Sequence, residues 1–157
     1  MQGQVIGVNS SKIASTEYEG MGFAVPSNTA VETANSLIKV GYVEGRAQIG
    51  ITYTNIENYS NATAILSALD ELGYSDANGT MVINEVNSES DLAGKDIREY
   101  DMIVAVNGET LTSSDIMTST LADAKPGDTI KLTIARIENN KINTFEVDCV
   151  LTESKGN

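Results

Sequence analysis

Acid–base and nucleophilic catalysis near neutral pH most often runs through histidine, and this chain has none among its 157 residues. Its serines therefore lack the imidazole that takes a hydroxyl proton and returns it to a leaving amine. The single cysteine, Cys149, alternates with Phe145, Val147 and Leu151, and reads as a small core residue with no partner for an internal disulfide. Carboxylates are plentiful, 22 against 10 basic residues. Glu85, Glu89, Asp91 and Glu99 nevertheless read as solvated surface rather than a paired-acid hydrolase site. Asp76-Ala77-Asn78-Gly79 opens like a calcium loop but lacks the further ligands and the distal glutamate, so it reads as a turn. Gly20-Met21-Gly22 is followed by no helix at the spacing of a phosphate loop. No catalytic residue, metal or cofactor is expected.

Composition narrows the partners. A formal charge of -12 opposes binding to phosphate backbones and to anionic lipid surfaces, so neither nucleic acid nor direct membrane insertion is expected. No apolar run reaches the ~20 residues a bilayer span requires, and no targeting segment is evident. A hydrophobic fraction of 41% permits a packed core, and the length suits one domain and part of another. Asn9, Asn58, Asn61 and Asn78 begin Asn-X-Ser/Thr triplets, which matter only in a eukaryotic secretory pathway.

The elements that would position a site follow from periodicity. Residues 4–9 and 21–25 read as two short strands. Ser27-Asn28-Thr29 offers N-cap chemistry, and Val31, Ala34, Leu37 and Ile38 keep helical spacing until Gly41, which predicts a helix over 29–40. Ala62, Ile65, Leu66, Leu69 and Leu72 predict another helix, ending at Gly73. Strands are predicted at 80–87 and 102–107, the second turning at Asn107-Gly108. Thr112 and Asp115 have the spacing of a capping box, which predicts a helix over 113–123. After the Pro126-Gly127-Asp128 turn, Ile130, Leu132 and Ile134 alternate along one strand and Phe145 to Leu151 along the last, with 138–141 as the hairpin between them.

Several runs resemble one family. MQGQVIGVNS at 1–10 and EGMGFAVPSN at 19–28 resemble the last barrel strands of HtrA-type, trypsin-like serine proteases. RAQIGI at 46–51 is similar to the carboxylate-binding loop and first groove strand of that family's PDZ domain, and DMIVAVNGETL at 101–111 resembles its Gly-Asp-Val-Ile-Leu-Ala-Val-Asn-Gly segment. The resemblance implies residues 1–45 as the end of a protease domain, 46–153 as a PDZ domain and 154–157 as a tail. The implied fold is mainly β with α (α+β): a partly open PDZ-like barrel with two or three helices, preceded by two strands and a helix of a trypsin-like barrel. It also implies that the nucleophilic serine would precede the position matching Met1, so that this chain alone would be inactive while the parent is a serine endopeptidase working outside the cytoplasm.

For the PDZ segment the resemblance implies binding of C-terminal or unfolded peptide segments by strand addition. Arg46, Gln48, Ile49, Gly50 and Ile51 would form the carboxylate loop, where a glycine lets successive N–H groups approach an anion. Tyr53 would continue the groove strand. On the helix over 113–123, Ile116 with Thr120 and Met117 with Leu121 form two i,i+4 pairs, one expected to face the groove and the other the core. The sequence leaves open which is which. Three departures stand out: Ile97-Arg98-Glu99-Tyr100-Asp101 replaces a turn that usually contains Pro-Gly, Gln48 replaces a tyrosine, and the stretch 53–79 is long enough to cover or reshape the groove. The competing expectation is therefore a self-assembly module with a blocked groove. Residues 1–28, as strands without their barrel, are expected to be disordered, docked or exchanged in a homo-oligomer.

Overall fold

A computed structural model describes residues 4–12, 22–139 and 141–156. The readings made at 1–3, 13–21, 140 and 157 lie outside the described residues. Contacts divide the chain into two units, residues 1–44 with 155–157 and residues 45–154.

In the first unit β1 (Gly7–Lys12) pairs antiparallel with β2 (Gly22–Pro26), Gly7 opposite Pro26 and Lys12 opposite Gly22. Helix α1 (Ser27–Val40) follows at once. The N-cap chemistry expected at Ser27-Asn28-Thr29 is not used: the helix starts directly after Pro26, and no side chain caps it. Gly41 stops it as expected, with φ +87° and its N–H bonded to the Leu37 carbonyl at 3.0 Å. No α1 side chain is buried, and Ile6 and Ile38 are 88% and 84% exposed. Helices depend on packing an apolar face, so this unit holds its fold with much of its apolar surface uncovered.

The second unit is built on an antiparallel sheet ordered β4 (Ile51–Asn55), β5 (Met81–Val86), β6 (Met102–Val106), β8 (Thr129–Glu138), β9 (Lys141–Val150), with β7 (Glu109–Thr110) paired to β6. A separate pair joins β3 (Ala47–Gln48) to β10 (Thr152–Glu153). Strand alternation sorts the side chains onto two faces. On one face Met81, Ile83, Ile103, Leu132 and Ile134 pack with Ile49, Leu92 and Met117 of helix α3 (Ser114–Asp123). On the other, Val82, Met102, Val104 and Ala135 receive Ile56, Ile65 and Leu69, the last two from helix α2 (Ala62–Glu71). Each fully buried Ile, Leu or Met contributes about 1.5–3 kcal/mol, so both faces carry real cores. Cys149 is buried in the first, and burial pushes its thiol up to about 11, which leaves it an inert filler at neutral pH.

The 53–79 stretch thus places its helix on the sheet face opposite α3. Asp76 to Gly79 forms a turn, with Asp76 at φ +57° and Thr80 N–H bonded to the Ala77 carbonyl at 3.1 Å. The capping box expected from Thr112 and Asp115 does not form. Ser113 is the N-cap, extended at φ −146° and ψ 162°, and its hydroxyl makes no capping bond. Backbone packing sets this helix start instead: a Cβ on Gly79 would lie 2.3 Å from the Ser113 carbonyl carbon, and Gly79 N–H bonds to the Leu111 carbonyl at 2.8 Å.

The turn at 97–101 is built without proline or glycine because charge does the holding. Tyr100 takes φ +71°, and its N–H bonds to the Ile83 carbonyl at 2.8 Å. Asp101, its side chain 2% exposed, accepts the Arg98 N–H at 2.8 Å and a two-pronged grip from Arg136 Nε and a terminal guanidinium nitrogen, both at 2.7 Å. Arg136 lies 5.0 Å over the Phe145 ring and also reaches Asp96. Its guanidinium is held well above its ordinary range, chiefly by the Asp101 hydrogen bond.

Asp91 is likewise more than the solvated surface expected of it. It accepts from Lys95 at 2.6 Å and from the Val150 N–H at 2.9 Å, while Lys95 also donates to the Asp148 carbonyl. Two side chains so occupy the outer edge of β9. The Lys95 bond, then the Val150 N–H, holds the Asp91 carboxyl below its ordinary 3.8. A folded value below the unfolded one stabilises above the unfolded value and is lost as pH falls through the folded one.

Two outcomes are expected. Asp101→Asn takes from Arg136 its buried charged partner, leaving the exposed Asp96, and lowers unfolding stability by about 3 kcal/mol, read as a lower urea midpoint at unchanged slope. Asp91→Asn costs about 0.5–1 kcal/mol at neutral pH, and urea titrations across pH show that difference vanishing in acid below 3.8.

Candidate functional site

The segment joining β3 to β4 turns tightly at Gly50, whose φ of +76° suits a residue without a Cβ. Space is also short there, since a Cβ would lie 3.0 Å from that of Ser90. The loop's carbonyls are tied inward: Ser90 Oγ donates to the Ile49 carbonyl at 2.6 Å, and Asn87 N–H to that of Gly50 at 2.9 Å. The Ser90 hydroxyl also accepts the Leu92 N–H at 3.2 Å. With the carbonyls engaged, the Ile49 and Gly50 N–H groups have no protein acceptor among the described residues. Arg46 is exposed, its carbonyl bonded to the Ser154 N–H at 2.8 Å. Gln48 is half-buried in the β3–β10 pair, its amide 3.5 Å from the Glu153 carbonyl.

Beyond this turn β4 is an edge strand, paired on one side only, to β5. The Asn87 to Gly50 bond and the Ile56 N–H to Thr80 carbonyl bond, at 3.0 Å, set which backbone groups face inward. By the two-residue period of a strand, the N–H and C=O groups of Ile51, Tyr53 and Asn55 face away from β5. Their side chains share one sheet face, the face on which Ile51 packs against the core beside Met117. Tyr53 is 46% exposed.

Helix α3 lies along this edge. Its first residues share an open depression with Asn55 at the end of β4, and it packs against β3 just before the start of β4. The two i,i+4 pairs separate. Met117 is buried in the core with Ile49, and Leu121 packs against it, on the stripe that begins with Ser114 beside Asn55. Ile116 also touches that core, but Thr120, its hydroxyl donating to the Ile116 carbonyl at 2.8 Å, lines a different hollow with Asn107, Asp123, Thr129 and Ile130. Ile49, Ile51, Met117 and Leu121 are therefore brought together, Tyr53 stands along the edge, and Thr120 points elsewhere.

Sequence reasoning passed over Ser90, Asn55 and Gly79. Ser90 lies in an ordinary polar run, and nothing in its spacing connects it to Ile49, 41 residues away. Gly79 was legible only as part of a turn.

A partly closed antiparallel sheet, with one helix beside a free edge strand that starts from a glycine turn, is the architecture of PDZ domains. The PDZ domain family model matches residues 47–149, and the chain belongs to that family. Similarity to HtrA-type proteases runs along nearly the whole chain. The serine protease Do-like HtrA of Bacillus subtilis (strain 168) is 32% identical over 158 residues, covering 98% of this chain and 33% of that protein. A probable periplasmic serine endoprotease, DegP-like, of Rhizobium meliloti (strain 1021) is 27% identical over 157 residues, covering 99% of this chain and 29% of the relative. The chain thus spans about a third of these relatives' length. Among solved structures, the HtrA-type protease AlgW with decapeptide has the same fold, with a TM-score of 0.57 at 21% identity over 97% of this chain and 43% of that one.

Ser90 is the residue that holds the loop's inward face. Ser90→Ala leaves the Ile49 carbonyl without its donor and is expected to lower stability by about 1–2 kcal/mol, with hydrogen exchange at residues 49–51 rising more than in β6.

Proposed function

We propose that this chain binds free C-terminal or unfolded peptide segments by adding them as a strand to β4. The observation that carries the reading is the outward row of backbone groups at Ile51, Tyr53 and Asn55, leading from the Ile49–Gly50 turn whose N–H groups lack protein acceptors among the described residues. A ligand strand would pair with that row, and its carboxylate would rest on the turn amides. Its terminal side chain would meet the apolar ground between Ile51, Met117 and Leu121. Arg46, exposed nearby in sequence, would add only ~0.2–1 kcal/mol of charge attraction. Gln48 would take the place of a tyrosine at the loop, and Thr120 would stand outside the groove. The decapeptide held by AlgW supports the class of ligand.

In this reading residues 1–45 are the end of an HtrA-like protease domain, 46–153 the PDZ domain and 154–157 a tail. The parent acts as a serine endopeptidase outside the cytoplasm in protein quality control, a location supported by the periplasmic name of one relative. Among the described residues no helix is long and apolar enough to cross a membrane. This chain, with no histidine, binds without cleaving. The position of α2 on the sheet face away from α3 favours an open groove over a blocked one. A second reading, self-association through residues 1–28, draws on the exposure of Ile6, Val8 and Phe23.

The test is fluorescence anisotropy with peptides of free and amidated C-terminus. Free peptides are expected to bind and amidated ones to lose that binding. Tyr53→Pro removes an outward N–H but no sheet bond, so it should weaken binding by about tenfold or more while leaving the melting temperature nearly unchanged. Equal binding of free and amidated peptides would sink the reading.

A further inference from the structure

The far end of the β4 edge carries an acceptor that the fold does not satisfy. Asn55 closes β4, and its Oδ1 is buried with no hydrogen-bond partner among the described residues. A buried acceptor left without a donor carries a desolvation cost, so its environment asks for a donor. Asn55 lines an open depression of about 230 Å³ together with Glu57, Asn78, Gly79, Thr112, Ser113 and Ser114. Glu57 is the one acidic side chain in that lining, which contains no lysine or arginine.

The position of this depression relative to an added strand follows from the edge geometry. Antiparallel strands pair residue for residue, so a ligand residue opposite Ile51 is followed, two and four residues upstream, by residues opposite Tyr53 and Asn55. Those three ligand residues turn their side chains to one face, the face that Ile51, Tyr53 and Asn55 share. With the terminal residue at Ile51, the side chain four residues before the terminus reaches the depression.

We infer that Asn55 and Glu57 form a subsite for a basic side chain, lysine or arginine, four residues upstream of the ligand's C-terminus; the inference rests on the strand-addition reading above. A lysine ammonium supplies only donors, which is what Asn55 Oδ1 and the Glu57 carboxylate lack. Its flexible stem spans the open mouth of the depression with the charge at the tip. A neutral amide or hydroxyl would satisfy Asn55 and leave Glu57 unmatched, and a carboxylate would meet Glu57 as a like charge. The partial positive charge at the start of α3 opposes a cation, but Asp115 in the first turn offsets it. The overall charge of -12 acts in the same direction over a longer range.

The test uses three free C-terminal peptides that differ only at the fourth residue before the terminus, carrying lysine, norleucine or glutamate, each with an amidated control. The lysine peptide is expected to bind about tenfold tighter than the norleucine peptide, as one charge-assisted hydrogen bond gives, and the glutamate peptide weakest. The lysine advantage should shrink in Asn55→Ala and in Glu57→Gln, and fall with added salt as a solvent-exposed charge pair does. Equal affinity of lysine and norleucine peptides, with binding still sensitive to amidation, overturns the subsite and leaves strand addition standing. Absence of amidation-sensitive binding by all three peptides overturns both.

Discussion

The grip of Arg136 on Asp101 is the interaction around which the second unit is organised. Asp101 sits just before β6 and Arg136 lies on β8, while the Asp101 carbonyl accepts the Ile83 N–H of β5 at 2.8 Å. One buried ion pair therefore fixes three neighbouring strands at a single level. A shift of one residue in any of them would turn every side chain to the opposite face. Here both faces are packed, so such a slip would exchange the two cores. The pair is more than attraction between charges: with the carboxylate 2% and the guanidinium 11% exposed, its cost of desolvation is large and is met only because both oxygens and three guanidinium nitrogens find partners. That geometry also explains how Tyr100 is held at a positive φ where a glycine would be the easy choice.

Register in turn decides what lies beside β4 on each face of the sheet. With Ile83 and Met81 facing α3 and Val82 facing α2, the helix contributed by the 53–79 stretch has its own ground on the far side of the sheet. The two ends of that stretch, at Asn55 and Glu57 and at Asn78 and Gly79, meet the start of α3 around one depression. An insertion that looked able to cover the β4 edge thus keeps its helix on the other sheet face. Gly79 makes the meeting with α3 possible, because its missing Cβ lets the turn lie against the backbone of Ser113.

What was legible in the sequence follows from which physical signals are local. Short apolar runs at 81–86 and 102–106 and the alternation of Ile130, Leu132 and Ile134 announce strands because these signals survive in a short window, and Gly41 announces a helix stop because no other residue takes φ +87° so easily. The turn at Ile49-Gly50-Ile51 was readable only through the resemblance of RAQIGI to a family loop, since a lone Ile-Gly-Ile says little. The capping box failed because Thr112 and Asp115 have the right spacing but the backbone is already held by Leu111 and Gly79. The choice between Ile116 with Thr120 and Met117 with Leu121 was not readable at all. Both pairs contain an apolar member at helical spacing, and which of them is buried is decided by packing against strands far away in the chain. Ser90, Asn55 and Arg136 act across the fold, and no local window contains their partners.

The two edges of the sheet are treated differently, and that difference carries the functional argument. An unpaired strand edge invites pairing with any extended chain. On β9 the invitation is withdrawn: Asp91 takes the Val150 N–H and Lys95 takes the Asp148 carbonyl, so an incoming strand would have to break a salt bridge to pair there. On β4 nothing among the described residues takes the outward groups of Ile51, Tyr53 and Asn55, and the nearby Ser90 hydroxyl is spent on the carbonyl of Ile49. A fold selected only against aggregation would guard both edges. One guarded and one open, with the open one beginning at a turn of unengaged N–H groups and ending at an unsatisfied acceptor, is the asymmetry on which the proposed strand addition at β4 rests.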